Sequence, residues 1–117
     1  MKNGTHLLVD IKNCKKIKEL SDTKVITSFL VKLIKLAKMK AITEPKVMYY
    51  EHEDKIESGI TGFVIIADSH VSIHTYPLKK SFYLDLFSCK KFNEKEIIKY
   101  TNEFFGGKKI KSQLIKR

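Results

Sequence analysis

The stretch GITGFVIIADSHVSIHTYP, residues 59–77, decides the fold of this chain. Its apolar run from Phe63 to Ala67 is typical of a strand that is buried on both faces or lies under a helix. The residues that follow keep an extended pattern as far as Pro77, so we expect the strand to continue through them. An acid, two serines and two histidines therefore fall within buried strand, which raises the question of their chemistry.

Strands and helices are predicted on both sides of this stretch. Apolar residues at three- and four-residue spacing predict one helix capped by Ser21 or Asp22 and a second capped by Asn93 and ended by Gly106-Gly107. The remaining strands are predicted at THLLVDI (5–11), KVMYYEHE (46–53), SFYLDLFSC (81–89) and KKIKSQLI (108–115). The order β-α-β-β-β-α-β predicts an α+β fold, a two-layer sandwich of a mainly antiparallel sheet with two helices on one face.

Length and composition bound the class of protein. The chain has 117 residues, and 43% of them are hydrophobic, which suits one folded domain spanning residues 1–117. No apolar run approaches the roughly 20 residues of a membrane helix, and the first ten residues lack a signal-type segment. We therefore expect a cytoplasmic protein with no membrane partner. Two cysteines, Cys14 and Cys89, are too few for a disulfide scaffold.

The net charge of +10 raises the question of a nucleic-acid partner. The lysines are spread along nearly every segment, however, and no aromatic-basic RNA-binding motif is present. This pattern favours a solvated lysine-rich surface, and we expect no nucleic-acid partner.

Taken singly, the polar residues of the central stretch have ordinary structural explanations. A serine such as Ser69 at a strand end usually bonds to nearby backbone. His70 and His74 lie on one face of a strand, but carboxylate or cysteine ligands at a recognisable spacing are missing, so we expect no metal. Cys89 is compatible with an inert buried thiol.

Taken together, GITGFVIIADSHVSIHTYP, the later YLDLFSC (83–89) and the early GTHLLVDIKNC (4–14) resemble the prokaryotic S-adenosylmethionine decarboxylase family of pyruvoyl enzymes. The resemblance implies a proenzyme that cuts itself between Asp68 and Ser69 into a β chain, 1–68, and an α chain, 69–117. The Ser69 hydroxyl would attack the preceding carbonyl, an ester would form, and elimination would turn Ser69 into a pyruvoyl group. That group would be the cofactor, with no metal and no pyridoxal phosphate.

The resemblance also implies a role for each residue of the motif. The pyruvoyl ketone would form a Schiff base with the substrate amine and act as the electron sink for decarboxylation. His74 would remove the α-proton of residue 69 during ester elimination, with Thr61 assisting, and Cys89 would reprotonate the substrate carbon. Asp68 replaces the usual glutamate of the family. The implied pathway is polyamine (spermidine) biosynthesis, and the implied assembly is a homodimer or a dimer of dimers.

Two departures from the family pattern concern the substrate pocket. Leu78 replaces a glutamate that is understood to hold the ribose hydroxyls of S-adenosylmethionine, and Lys55 replaces an adenine-stacking phenylalanine unless the alignment shifts towards Tyr49 or Tyr50. Acids crowd the same loop, among them Glu57, and either bind a substrate cation or are simply solvated. L-arginine and L-ornithine therefore stay open as alternative substrates.

A second alternative is a processing-dead regulatory or binding-only homologue. The presence of Ser69, His74 and Cys89 argues against it, because a degenerate relative has no need of all three.

Overall fold

The computed structural model describes residues 4–117, apart from the side chains of Lys109 and Ile110. Its strands are β1 (Thr5–Lys12), β2 (Lys46–Tyr50), β3 (Gly59–Ile66), β4 (Ser69–Tyr76), β5 (Ser81–Ser88) and β6 (Lys108–Lys116). They form one sheet in the order β2-β3-β4-β5-β1-β6, and every neighbouring pair is antiparallel. The helices are α1 (Ile17–Leu20), α2 (Thr23–Leu36) and α3 (Glu94–Phe104).

The two long helices begin where the sequence predicts. The Asp22 carboxylate accepts hydrogen bonds from the backbone N–H groups of Lys24 and Val25, and the Asn93 side chain accepts from that of Glu96. Each cap satisfies N–H groups that the first turn of a helix leaves without a partner. Among the described residues, no helix combines the length and apolarity needed to cross a bilayer.

Both long helices cover one face of the sheet, the inner face. Phe29 of α2 lies at the centre of this layer, with its ring centroid 6.1 Å from that of Phe82 in β5 and 5.2 Å from that of Phe105 at the end of α3. The strands contribute buried residues at alternate positions along each strand: Leu7, Val9, Ile11, Val64, Ile66, Val71, Ile73, Phe82, Leu84 and Leu86. The predicted α+β two-layer class is confirmed, because this alternation directs one apolar face towards the helices.

The opposite, outer face of the sheet carries no helix in the described part of the chain. Phe63 and Ile65 of β3 and Tyr83 of β5 are each about two-fifths exposed on it. His70 of β4 stacks against Phe63 with a centroid distance of 6.0 Å and lies 5.6 Å from Phe87. An aromatic surface of this kind is typical of a protein-protein interface.

The predicted single strand from the apolar run to Pro77 is wrong, and the sheet has one strand more than expected. A two-residue turn, Ala67-Asp68, divides the segment into β3 and β4, which pair as a hairpin from Ile66 opposite Ser69. Asp68 has φ of 57°, in the left-handed region. The turn lacks the glycine that normally marks such a hairpin, but aspartate adopts this conformation more readily than most residues.

Candidate active site

Ser69 is the first residue of β4 and follows the hairpin turn directly. Its side chain points to the inner face and is 8% exposed. The Ser69 hydroxyl donates to Oγ of Ser88 at 3.3 Å and accepts from the backbone N–H of Cys89, also at 3.3 Å. The strand register therefore brings the predicted cleavage residue to the predicted catalytic cysteine, 20 positions along the chain.

Ser88 is a site residue that the sequence reasoning missed. Its Oγ donates to the carbonyl of Lys90 at 3.0 Å and accepts from the Lys90 N–H at 2.9 Å. This series of hydrogen bonds ends on a carbonyl, which cannot take up a proton, so the network orients the Ser69 hydroxyl and does not deprotonate it. The serine next to Cys89 was visible in the sequence, but its contact with Ser69 depends on the pairing of β4 with β5.

The peptide bond between Asp68 and Ser69 lies at the end of the sheet. The Asp68 side chain is exposed, and its backbone holds the left-handed φ of 57°. Non-glycine residues in this region carry a conformational cost, and such residues cluster at functional sites. The predicted scissile bond therefore follows an exposed residue with a strained backbone and precedes a buried serine.

Thr61 and His74 form a separate pair on the outer face. They are opposite each other in β3 and β4, with 3.1 Å between Thr61 Oγ1 and His74 Nδ1. When Nδ1–H donates to the Thr61 oxygen, the lone pair on Nε2 of the neutral ring is free to accept a proton. Both side chains are exposed, so the pair presents an oriented imidazole to whatever covers this face.

One copy of the chain does not bring His74 to Ser69. The two residues lie five positions apart in β4, a separation of about 16 Å along an extended strand. An odd spacing also puts their side chains on opposite faces of the sheet. Within one copy, the structure therefore groups Ser69 with Cys89 and Thr61 with His74, but keeps the two groups apart.

Cys89 is a half-buried free thiol at the edge of a cavity of about 320 Å³, which we call the basic cavity. This cavity is lined by Gly4, Thr5, Ser88, Cys89, Lys90, Lys91, Lys116 and Arg117. The other cysteine, Cys14, is buried in the core, and burial raises the pKa of its thiol to about 11. Only Cys89 of the two is therefore placed to act on a ligand.

A second cavity, of about 280 Å³, lies at the far end of β4 beside His74. It is lined by Tyr50, His52, Glu57, Gly59, Ile60, Thr61, His74, Thr75 and Tyr76. Hydroxyl groups, imidazoles and one carboxylate make its wall polar. The described residues contain no group of three or more histidine, cysteine, aspartate or glutamate side chains that could hold a metal ion.

The family model for S-adenosylmethionine decarboxylase matches residues 5–117, nearly the whole chain. The chain belongs to the S-adenosylmethionine decarboxylase family. An S-adenosylmethionine decarboxylase proenzyme from Clostridium botulinum strain Langeland is 31% identical over 116 residues, which cover 98% of this chain and 94% of the relative. A proenzyme of the same name from Thermodesulfovibrio yellowstonii is 36% identical over 96 residues, covering 80% of this chain and 64% of the relative.

The fold is also found in a solved structure. The crystal structure of the adenosylmethionine decarboxylase from Aquifex aeolicus VF5 superposes with a TM-score of 0.77 and 24% identity, covering 99% of this chain and 91% of the other. This likeness supports the arrangement of sheet and helices described above for this chain.

One of the three predicted substrate-binding positions, Glu57, lines the second cavity, and the other two do not. Leu78 is 64% exposed in the short 3-10 turn Pro77–Lys79, and neither it nor Lys55 lines the cavity. Glu57 does line it, and its carboxylate forms an ion pair with Lys79. Tyr50 lines it as well, whereas Tyr49, on the other face of β2, does not.

Proposed function

We propose that this chain is a self-processing, pyruvoyl-dependent decarboxylase that acts on S-adenosylmethionine in spermidine biosynthesis. The observation that supports this most strongly is the environment of Ser69, whose buried hydroxyl is held by Ser88 and Cys89 directly after the strained Asp68 turn. The names of the relatives, S-adenosylmethionine decarboxylase proenzyme, agree with a chain that matures by cleavage.

Processing begins at the Asp68–Ser69 bond. The Ser69 oxygen attacks the Asp68 carbonyl carbon, the C–N bond breaks, and an ester joins Asp68 to the Ser69 side chain while the residue 69 amine is freed. A base then takes the α-proton of residue 69, the Asp68 carboxylate leaves, and addition of water with loss of ammonia yields the pyruvoyl group. The hydrogen bonds of the Ser69 hydroxyl support the first step, because they limit its rotation.

His74 is the proposed base, and we place it in the site of a second copy of the chain. Its own Ser69 is about 16 Å away on the other face of the sheet, so a contact within one copy is not available. The outer face, where Thr61 and His74 lie, is aromatic and uncovered, which suits pairing with another copy in a homodimer or a dimer of dimers. Thr61 positions the imidazole ring.

After processing, the pyruvoyl group supplies a ketone that condenses with the substrate amine and withdraws electrons as carbon dioxide leaves. Cys89 is the proposed general acid that returns a proton to the substrate carbon. The register of β4 and β5 supports this role, because His70 pairs with Phe87 and residue 69 therefore lies beside Ser88 and Cys89.

The lining of the second cavity favours the nucleoside of S-adenosylmethionine over the side-chain cation of arginine or ornithine as the group bound beside His74. An acid meant for the guanidinium of arginine or the ammonium of ornithine is expected to be free, but Glu57 is already paired with Lys79. The paired carboxylate still has lone pairs for neutral hydroxyl donors. The names of the relatives reported above likewise give no support to an arginine or ornithine decarboxylase.

The test is the intact mass of the purified protein after incubation with S-adenosylmethionine, arginine and ornithine in the presence of cyanoborohydride. We expect a 1–68 fragment and a 69–117 fragment without a normal amino terminus, the latter carrying the mass of the S-adenosylmethionine product. Ser69→Ala must stay whole, and Ser81→Ala, at another buried serine, in β5, is the control that must still cleave. A wild-type chain that remains whole would support a binding-only homologue instead.

A further inference from the structure

The basic cavity beside Cys89 has an unusual charge for its size. Four of its eight lining residues are Lys90, Lys91, Lys116 and Arg117, and none of the eight has a carboxylate side chain. The ion pair of Lys79 with Glu57 and the contact of His6 with Asp85 lie elsewhere. Cations around one cavity repel one another unless an anion lies between them.

Two separate parts of the chain bring these charges together. Thr5 of β1 pairs with Ser88 of β5 on one side and with Lys116 of β6 on the other, so the residues after β5 and the end of β6 border the same cavity. The Arg117 N–H donates to the Gly4 carbonyl at 3.0 Å, which ties the end of β6 to the start of β1. Its guanidinium carbon lies 5.0 Å from the centre of the Phe87 ring, on the outer face of the sheet, so its charge is turned away from Ser69. The cluster is therefore placed by sheet register and not by one local run of lysines.

The cavity is also next to the residue at which the reaction takes place. Cys89 is part of its wall, and the register of β4 and β5 places residue 69 beside Ser88 and Cys89. The cavity lined by Lys90, Lys91 and Lys116 is therefore next to a substrate joined to residue 69. For an amino-acid substrate, the anionic group close to the joined amine is the α-carboxylate.

We propose that Lys90, Lys91 and Lys116 form a carboxylate-recognition site beside Cys89 that holds the α-carboxylate of the amino-acid substrate, an inference that rests on the proposed decarboxylase function. The cluster acts on binding and not on the chemical step. Stabilising the carboxylate favours the substrate over the transition state, in which that negative charge is leaving, so the cations lower KM without raising kcat.

The same charges give the site different affinities for substrate and product. Decarboxylation releases the carboxylate as neutral carbon dioxide and puts a proton in its place. Because the sulfonium is unchanged, the product is more positive than the substrate by one charge. The lysines that attract the substrate carboxylate therefore repel the product, which assists its release. Removal of the cations is expected to change the affinities for substrate and product in opposite directions.

The first experiment measures anion preference at Cys89 without any enzymatic turnover. Iodoacetate and iodoacetamide alkylate the same thiol, but only iodoacetate carries a carboxylate. In the full chain at low salt, we expect the ratio of the iodoacetate rate to the iodoacetamide rate at Cys89 to exceed that of free cysteine by about three- to tenfold, a preference that salt reduces. Mass spectrometry of the Cys89 peptide excludes any contribution from the buried Cys14.

Charge removal gives the matched comparison. In the double variant Lys90→Gln/Lys91→Gln, the ratio of the iodoacetate rate to the iodoacetamide rate should fall towards that of free cysteine. The control is Lys35→Gln, which removes a charge from the exposed surface of α2 and should keep the wild-type ratio. Backbone hydrogen bonds of Lys90 to Ser88 do not depend on its side chain. A ratio equal to that of free cysteine in the wild type, or unchanged in the double variant, overturns the proposal.

Steady-state kinetics then test the substrate itself. The double variant should raise KM for S-adenosylmethionine by roughly three- to tenfold at low salt, leave kcat unchanged or higher, and strengthen inhibition by the decarboxylated product. If cleavage and turnover occur but KM and product inhibition do not change, the carboxylate site is wrong and the decarboxylase function stands. If the wild-type chain neither cleaves nor turns over, the decarboxylase function fails, and the carboxylate assignment fails with it.

Discussion

Thr61 and His74 face each other across β3 and β4 with 3.1 Å between Oγ1 and Nδ1, on the sheet face opposite to the Ser69 side chain. The pair is oriented for proton transfer but is out of reach of the serine in its own chain. This relationship is the physical reason for the proposal that the site is assembled from two copies, in which each copy would supply the base for the other.

The first prediction tests that arrangement by complementation. A His74→Ala chain produced alone should stay uncleaved, because no copy in its dimer has the base. When it is produced together with a Ser69→Ala chain of different mass, the His74→Ala chain should be cleaved, since the Ser69→Ala partner supplies His74. Intact mass spectrometry distinguishes the two chains.

Two results would contradict the shared site. Cleavage of His74→Ala alone at the wild-type rate would remove His74 as the base, and an uncleaved mixture would mean that His74 acts within its own chain. Lys24→Ala, on the exposed part of α2, serves as the control partner and must support cleavage of a His74→Ala chain as well, since it retains His74.

The second prediction concerns Ser88, which accepts the hydrogen bond of the Ser69 hydroxyl. Ser88→Ala should slow self-cleavage by about tenfold, because the nucleophile loses the partner that orients it, while the loss of stability stays at about 1 kcal/mol. The rate is measured as the disappearance of the uncleaved chain. Ser81→Ala, which alters another buried serine of β5, is the control and should cleave at the wild-type rate. Equal rates in both variants would remove Ser88 from the site.

The third prediction concerns the left-handed backbone of Asp68. In a Ser69→Ala background, which keeps the chain whole, Asp68→Gly should maintain or slightly raise the free energy of unfolding, because glycine adopts positive φ without steric cost. Asp68→Val should lower it by about 1–2 kcal/mol, since a β-branched side chain clashes in this region. Denaturant titration gives both values, and equal stability of the two variants would show that the turn is not strained.

The fourth prediction follows from the buried thiol of Cys14. Burial raises its pKa to about 11, above its ordinary value of 9.0, so the folded state holds this proton more tightly than the unfolded state. Its contribution to stability is therefore complete below pH 9 and is lost as the pH rises from 9 to 11. The free energy of unfolding of Ser69→Ala should fall over this range, and adding Cys14→Ala should make the fall smaller. An identical pH dependence of the two proteins would exclude Cys14 as its cause.

The sequence by itself determined those features that depend on neighbouring residues. Asp22 and Asn93 cap the two long helices as predicted, because a cap is a contact over two or three positions. The apolar spacing within each helix likewise predicts the buried faces. The motif around Ser69, His74 and Cys89 carried the family resemblance, since it consists of short runs that can be read without knowing the fold.

Only the tertiary structure decided which of these residues meet. The hairpin at Ala67-Asp68 has no glycine or proline to mark it, and strand pairing on both sides imposes it. The pairing of β4 with β5 brings Ser69 to Ser88, and the pairing of β1 with both β5 and β6 brings Lys90 and Lys116 to one cavity. Contacts between strands depend on the register of two distant segments, which is set by the packing of the whole sheet against its helices and is not encoded in either segment alone.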